Sequence, residues 1–314
     1  MDKQELFIGI DVSQEKLDVG VWPTSQLWVE DNTDEGVAAL VQKLTALQPT
    51  LVVLEATGGL ERQVVRSLAA AGLPAVVMNP RPVRDFAKAT GRLAKTDPID
   101  ALVLAHFGSA IRPPVRPLPA AEIEELDALI SRRRQLVGMI AQEKNRLHRA
   151  PDSVISSIEA HIRWLEEQVD SIDKDSHGII ETNEGLKEKD ALLQTFKGVG
   201  PGCSGTLIAK LPELGTLDRG KIACLAGLAP LNRDSGKYKG MRRIWGGRES
   251  VRSALYMSTI VAIRWNPTIK EFYDRLRGKG KKAKVAITAC MHKILTILNA
   301  MLKSGEAWRP AQAR

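Results

Sequence analysis

Three short apolar runs, LFIGIDVS, KLDVGVW and LWVEDN, open the chain with hardly a residue between them. Runs this short and this closely spaced pair as adjacent antiparallel strands, because no connection is long enough for a crossover. A stretch of helical period follows from Asp34 to Leu47, then the run TLVVLEATGG, a second helical stretch near Leu60 to Ala71, and the run PAVVMNP. The two later runs are each reached through a helix, which permits parallel pairing. The order βββαβαβα predicts a mixed α/β sheet with helices packed on its faces.

A meander followed by crossovers is what a ribonuclease-H-like α/β fold shows, and acids interrupt its most apolar strands. Asp11 breaks LFIGIDVS and Glu55 ends TLVVLE. A carboxylate in a buried strand is costly unless a metal or a partner compensates it. KTDPIDALVLA supplies a third piece, where Pro98 suits the first turn of a helix and Asp97 or Thr96 its cap. Asp97 and Asp100 are three apart and share one side of that turn. With Asp11 and Glu55 they make an oxygen-rich set suited to Mg²⁺ or Mn²⁺, as used in two-ion phosphodiester chemistry. Each acid also has a plainer explanation: Asp97 as a cap, Asp100 as a solvated acid, Glu55 as a strand end. Actin-like ATPases and sugar kinases place strand aspartates near a phosphate too. They expect glycine-rich phosphate loops and a second related α/β domain, whereas the later sequence here is helical and basic.

A length of 314 residues supports more than one domain. Charge divides the chain further: the net is −2 over residues 1–118, −6 over 119–188 and +16 over 189–314. We read these as an α/β domain, a helical arm and a basic, mostly helical domain. A surplus of that size on the last part calls for a polyanion, DNA or RNA, as partner. A solvated basic tail is the blander alternative, and the regular apolar periodicity of the segment speaks against it. No run approaches the ~18 apolar residues of a membrane span. The acids Asp2, Glu5, Asp11, Glu15 and Asp18 argue against a secretory signal, so a cytoplasmic location is expected. Cys203, Cys224 and Cys290 are too widely spaced for a disulfide framework or a zinc site, and are read as reduced core residues.

In the arm, Ile123, Ile130 and Val137 repeat every seven residues, interleaved with Leu126, Arg133, Ile140 and Leu147. After Pro151, the residues Ile155, Ile158, Ile162, Leu165, Val169 and Ile172 step by three and four. Two long helices folded back as an antiparallel coiled coil are expected, either joining protomers or serving as a helical linker within one.

The basic part opens with FKGVGPGCSGTLIAKL, a glycine turn running into a helix, as in helix-hairpin-helix contacts to DNA phosphates. From Arg233 to Arg252 there are seven basic residues and two acids, interleaved with Tyr238 and Trp245. Lys237, Lys239, Arg242, Arg243, Arg248 and Arg252 are the candidate nucleic-acid contacts. Ser235, followed by Gly236, lies among them. A serine hydroxyl beside guanidinium groups can attack phosphorus, and a Ser-Gly pair is equally at home in a plain turn. The residues alone leave both readings open.

The ordered set IDVSQEKLDV, LEATGG, VVMNP, KTDPIDALVLA, GVGP, LAGLAP, DSGKYKG, GGR, VRSALYM and FYDRL resembles the IS110 and IS1111 insertion-sequence transposases, the bridge-RNA-guided recombinases. The resemblance covers nearly the whole chain, with the middle helices alike only in kind; Leu60 and His292 depart from residues common in the family. It implies that Asp11, Glu55, Asp97 and Asp100 are the metal-binding DEDD tetrad of a RuvC-like domain and that Ser235 is the serine that links covalently to DNA. It further implies strand exchange between donor and target DNA, a noncoding bridge RNA that chooses the site, and a homo-oligomer, dimeric or tetrameric on DNA, with composite active sites; from the lack of an apolar run, no membrane partner is expected. A DNA-only invertase of the pilin-gene type would carry the same five residues. A non-catalytic nucleic-acid-binding protein would have lost at least one.

Overall fold

The computed structural model describes residues 5–92, 94, 96–232, 234–236, 238–240 and 242–309. The chain divides into two compact units, Met1–Leu118 and Pro119–Arg314.

The first unit is built on five strands: β1 (Phe7–Val12), β2 (Lys16–Trp22), β3 (Leu27–Asp31), β4 (Leu51–Glu55) and β5 (Ala75–Met78). Four helices accompany them: α1 (Asp34–Leu47), α2 (Glu61–Ala70), α3 (Pro80–Ala89) and α4 (Asp97–Ile111). The strand order is β3-β2-β1-β4-β5. The first three strands form the antiparallel meander, and β4 and β5 join in parallel. The tight connection after β1 is held by Ser13, whose amide donates to the Lys16 carbonyl at 2.9 Å and whose hydroxyl accepts from the Lys16 amide at 3.0 Å. That turn sets the register, pairing Val12 with Leu17 and Asp11 with Asp18.

Strand alternation sorts the side chains onto two faces. Ile8, Ile10, Leu17, Val19, Val52 and Leu54 pack in one core with Val37, Leu40, Val64 and Leu68 of α1 and α2. Phe7, Leu51 and Val53 face the other way, into a core with Val83, Val103, Leu104 and Phe107 of α3 and α4. On this second face α4 lies almost on the backbone. A Cβ at Gly9 would collide with the Ala101 carbonyl and the Ala105 amide, and one at Gly20 would come within 2.8 Å of the Leu102 amide. At the far end of α4, a Cβ at Gly108 would meet Val53 at 2.8 Å and Phe7 at 3.7 Å. The helix therefore runs against β1, and its N-terminal turn reaches the end of the strand that carries Asp11.

Among the described residues the second unit is helical apart from one hairpin. Helices α5 (Ala121–Leu147) and α6 (Asp152–Thr182) pair antiparallel. Arg133 binds Asp173 at 2.5 Å and Lys144 binds Glu166 at 2.8 Å, so advancing along one helix retreats along the other. The apolar stepping of α6 faces this seam, with Ile162 and Leu165 buried. In α5 the seam differs from the expected heptad: Leu136 is buried while Val137 is 43% exposed. The straight 3.6-residue helix drifts off a seven-residue repeat, and the polar seam residues Arg133 and Glu143 are accommodated by pairing. Glu143 takes Arg146 at 2.6 Å and lies 3.3 Å from His161. Leu126, Ile130 and Ile180 continue directly into the main core of the unit.

That core is completed by α7 (Glu184–Gln194), α8 (Pro201–Lys210), α9 (Arg219–Leu225), α10 (Glu249–Trp265), α11 (Pro267–Gly278) and α12 (Ala283–Ser304). The sequence expectation of no membrane-length apolar segment needs correction at α12, which is long and apolar enough by composition. Its Cys290, Ile294, Leu295 and Leu298 are fully buried in the core of this unit. Asn299, on the same helix, accepts from the Gly215 amide at 2.8 Å and donates to the Leu217 carbonyl at 2.9 Å. The helix is apolar because neighbours surround it. The cysteines also part company: burial pushes the Cys203 and Cys290 thiols up to about 11, whereas Cys224 is exposed rather than in the core.

Candidate functional site

The acidic centre begins with parity. Asp11 lies on the α4 side of β1, since its neighbours Ile10 and Val12 belong to the opposite core. Ile10 pairs with Leu54, so Glu55 on β4 follows in step with Asp11 and emerges on the same side. Helix α4 brings Asp97 and Asp100 in its first turn, with Pro98 at the start and Thr96 as the N-cap, whose side chain makes no capping bond. Asp97 is thus the first helical residue and not the cap. Asp100 donates its amide to the Thr96 carbonyl at 2.9 Å.

Sequence reading missed a fifth carboxylate. Asp18 is the cross-strand partner of Asp11 and is only 8% exposed. Burial, and next the charge of Asp97, push its carboxyl above the ordinary range, against the weaker pull of Lys16. The signal was present, because Asp18 interrupts KLDVGVW as Asp11 interrupts its own strand. Two like charges in a half-dry setting repel, and a cation is the usual remedy. The donor set is all carboxylate oxygen, which fits a hard divalent ion. Among the described residues, no three such side chains are yet drawn close enough to hold one. The fold thus places the acids on one face at one end of the sheet without closing them into a cage.

The loop after β4 is fixed by Glu61. Its carboxylate accepts from the Thr57 amide at 3.1 Å, the Thr57 hydroxyl at 3.0 Å and the Gly59 amide at 2.9 Å. Burial alone would raise this carboxyl; these bonds, with its own amide, outweigh it and hold the group below the usual glutamate value. The chain leaving Glu55 is tied down in this way.

Ser235 belongs to the second unit. Between α9 and α10 the chain makes a two-tier hairpin: β6 (Pro230–Leu231) pairs with β9 (Arg243–Ile244), and β7 (Asp234–Ser235) with β8 (Tyr238–Lys239). Ser235 pairs with Tyr238 beside Gly236, whose φ is +54°, a conformation that suits the tight turn there. Ser235, Tyr238, Lys239, Arg242 and Arg243 are all exposed. Lys237 lies outside the described residues.

Two candidate contacts are otherwise engaged. Arg248 grips Glu213 through both nitrogens, at 2.5 and 2.7 Å, and donates to the Lys210 carbonyl at 3.0 Å. Arg252 donates to the Gly246 carbonyl and, at 3.4 Å, to that of Ala226. A Cβ at Gly227 would collide with the Gly246 carbonyl, so the two arms of the hairpin touch at their root. Arg248 and Arg252, offered by the sequence as nucleic-acid contacts, thus brace the root of the hairpin through bonds within the protein. Bidentate guanidinium pairs of this kind hold backbone in place.

The glycine turn before α8 is open. Gly198, with φ +119°, backs onto Ala262 of α10, where a Cβ would meet another at 2.7 Å. Gly200 and Gly202 have nothing within 4 Å of a would-be Cβ, and α8 starts without a side-chain cap.

A family model for the DEDD transposases of the IS110 group matches residues 8–155, and a second, for transposases of the IS116/IS110/IS902 family, matches 190–274. The chain is 28% identical over 309 residues to the pilin gene-inverting protein of Moraxella lacunata, covering 95% of each. It is 25% identical over 157 residues to an insertion element IS110 43.6 kDa protein of Streptomyces coelicolor, covering 49% of this chain and 38% of that one. With an IS900 42 kDa protein of Mycobacterium paratuberculosis it shares 37% over 92 residues, or 29% of this chain and 23% of the other. The acidic face belongs to the segment matched by the first model and the serine hairpin to that matched by the second, and the chain belongs to the IS110 family of insertion-sequence transposases, enzymes of DNA recombination.

Proposed function

We propose that the first unit is a ribonuclease-H-like nuclease domain in which Asp11, Glu55, Asp97 and Asp100 hold Mg²⁺ or Mn²⁺. The observation that carries this reading is the placement of strand and helix carboxylates on the α4 face at one end of the sheet, with Asp18 opposite Asp11. A bound divalent ion would polarise a scissile phosphate and lower the pKa of an attacking oxygen. The protein's part is to aim its carboxylates at one end of the sheet and hold them there through the close seating of α4.

Ser235 is proposed as the nucleophile. Its Oγ would attack phosphorus, the bond to the departing deoxyribose oxygen would break, and that oxygen would leave as a hydroxyl with a phosphoserine remaining. Lys239, Arg242 and Arg243 on the same hairpin would offset the phosphate charge, and the Gly200–Gly202 turn would contact backbone as a helix-hairpin-helix does. Donor and target DNA are the substrates in this reading, a noncoding bridge RNA the guide, and an oligomer joined through the α5–α6 coiled coil the working form. The test is trapping under denaturing conditions: wild type should yield a protein–DNA adduct, and Ser235→Ala none. An adduct that persists in Ser235→Ala removes the nucleophile assignment.

A second reading is favoured by the full-length likeness to the pilin gene-inverting protein, namely inversion of a DNA segment without a guide. Sequencing the RNA that copurifies with the protein separates the two. One recurrent noncoding species derived from DNA flanking the gene supports guidance, and its absence from active protein supports inversion.

A further inference from the structure

We propose that the turn joining α11 to α12 is a phosphate-backbone anchor for duplex DNA, distinct from the Ser235 hairpin. The proposal rests on duplex DNA being the substrate, and adds a place where the protein holds it.

Residues 275–284 read RLRGKGKKAK: six cations and no acid in ten positions. All six cations, Arg275, Arg277, Lys279, Lys281, Lys282 and Lys284, are exposed. Among the described residues none of them pairs with a carboxylate. This separates them from Arg248, which Glu213 neutralises. A concentration of unpaired like charge is costly in isolation and is relieved by a polyanion, with release of the counterions condensed on it.

The turn is also built to hold its shape. The Lys279 amide donates to the Arg275 carbonyl at 3.2 Å, that of Gly280 to Arg277 at 3.0 Å, and that of Lys281 to Leu276 at 3.1 Å, while Arg277 reaches the Lys281 carbonyl at 2.6 Å. Gly280, with φ +75°, supplies the left-handed residue that closes such a helix end. Beneath the turn, Arg275 and Lys293 lie over the Phe272 ring, at 5.2 and 4.6 Å from its centroid. The 22-residue α12 starts at Ala283 without a side-chain cap, so the positive end of its dipole adds to the lysines.

The chemistry favours a duplex over a single strand. Single strands are held by aromatic platforms on which bases stack. Residues 275–284 contain no aromatic, and Phe272 is occupied by its two cations. Exposed Tyr238 and Trp245 offer such platforms, but on the hairpin. What the turn presents is point charge on a fixed backbone, which suits sequence-independent contact with phosphates.

The experiment uses the full chain with the substitutions Lys281→Gln, Lys282→Gln and Lys284→Gln combined. Binding to a mixed-sequence DNA duplex is followed by anisotropy across a salt series, beside a duplex RNA and a single-stranded RNA of the same length. At ~0.9 logarithmic units per phosphate contact, the salt slope should become shallower by about 2 to 3. Affinity at 0.1 M salt should fall by roughly 50- to 500-fold for the DNA duplex, with the corresponding Lys→Arg triple restoring it and the melting temperature unchanged in both. An unaltered slope, or a loss confined to either RNA, overturns the proposal. Because the variant keeps every carboxylate and Ser235, adduct formation reports separately: tight duplex binding by a wild type that forms no adduct removes the nucleophile reading and leaves this one standing.

Discussion

Asp18 occupies a position where a neutral residue would make a more stable metal-free protein. It is buried against β1, and Asp97 works against its charge. Asp18→Asn should therefore raise the melting temperature of metal-free protein by a few degrees, roughly what ~1 kcal/mol gives in a unit of this size. The same change should weaken Mn²⁺ binding measured by calorimetry or paramagnetic resonance. A variant that melts lower and binds the ion as well as wild type would remove Asp18 from the ion's surroundings. Glu61 acts in the opposite sense. Its carboxyl is held below the unfolded value near 4.5, so its contribution is complete above that value and is lost as pH falls through the lower folded one. After screening of a partly exposed group this is about 1 kcal/mol. Glu61→Gln should abolish that portion of the acid sensitivity seen in unfolding curves. Asp11 is legible in the sequence because it breaks the most apolar run, and Glu55 because it ends the next. Asp18 breaks its run as plainly, yet its importance depends on the Ser13–Lys16 turn that sets it opposite Asp11, and register is invisible until strands are paired.

At the scale of elements, glycines decide how near α4 comes to the sheet. Gly9→Ala has no room: the new methyl would force α4 outward and carry Asp97 and Asp100 with it. Overpacking of this kind costs about 1–3 kcal/mol or more. The expected outcome is a lower melting temperature together with lost ion binding, even though no carboxylate has changed; ion binding at wild-type strength would mean the helix is not what positions the acids. Arg248→Ala belongs here too. It leaves Glu213 without its guanidinium and loosens the root of the hairpin, so adduct yield should fall while the salt slope of DNA binding stays nearly constant. If the slope drops by about one phosphate contact instead, Arg248 touches DNA after all. Both arginines drew attention in the sequence by their nearness to Ser235. What nearness could not reveal is that a basic residue is spent once a carboxylate or carbonyl claims it, and Glu213 is 35 residues away in the chain. The helical arm was readable along α6, whose apolar steps fall on its seam, and misread in α5, where Leu136 and not Val137 faces inward. A seven-residue repeat counts positions, whereas the helix places them by angle, and Arg133 is accommodated at the seam by pairing with Asp173.

The whole molecule is two units, the first with a core on each face of its sheet and the second with a single large one. In the first unit the meander and its crossovers close within 118 residues. In the second, residues from Leu126 onward share a core to which α12 contributes Cys290, Ile294, Leu295, Leu298 and Met301. Every other helix of that core precedes α12 in the sequence, so during synthesis α5 to α11 emerge with the surface that α12 will cover still bare. The nascent chain must carry that exposed apolar wall until α12 has cleared the ribosome, a period in which chaperones would be expected to bind it. A product stopped by a nonsense codon before Ala283 should keep a protease-resistant first unit and lose the second to aggregation. Such a product would lack the folded support of the Ser235 hairpin, so it would not compete with the full-length enzyme for DNA.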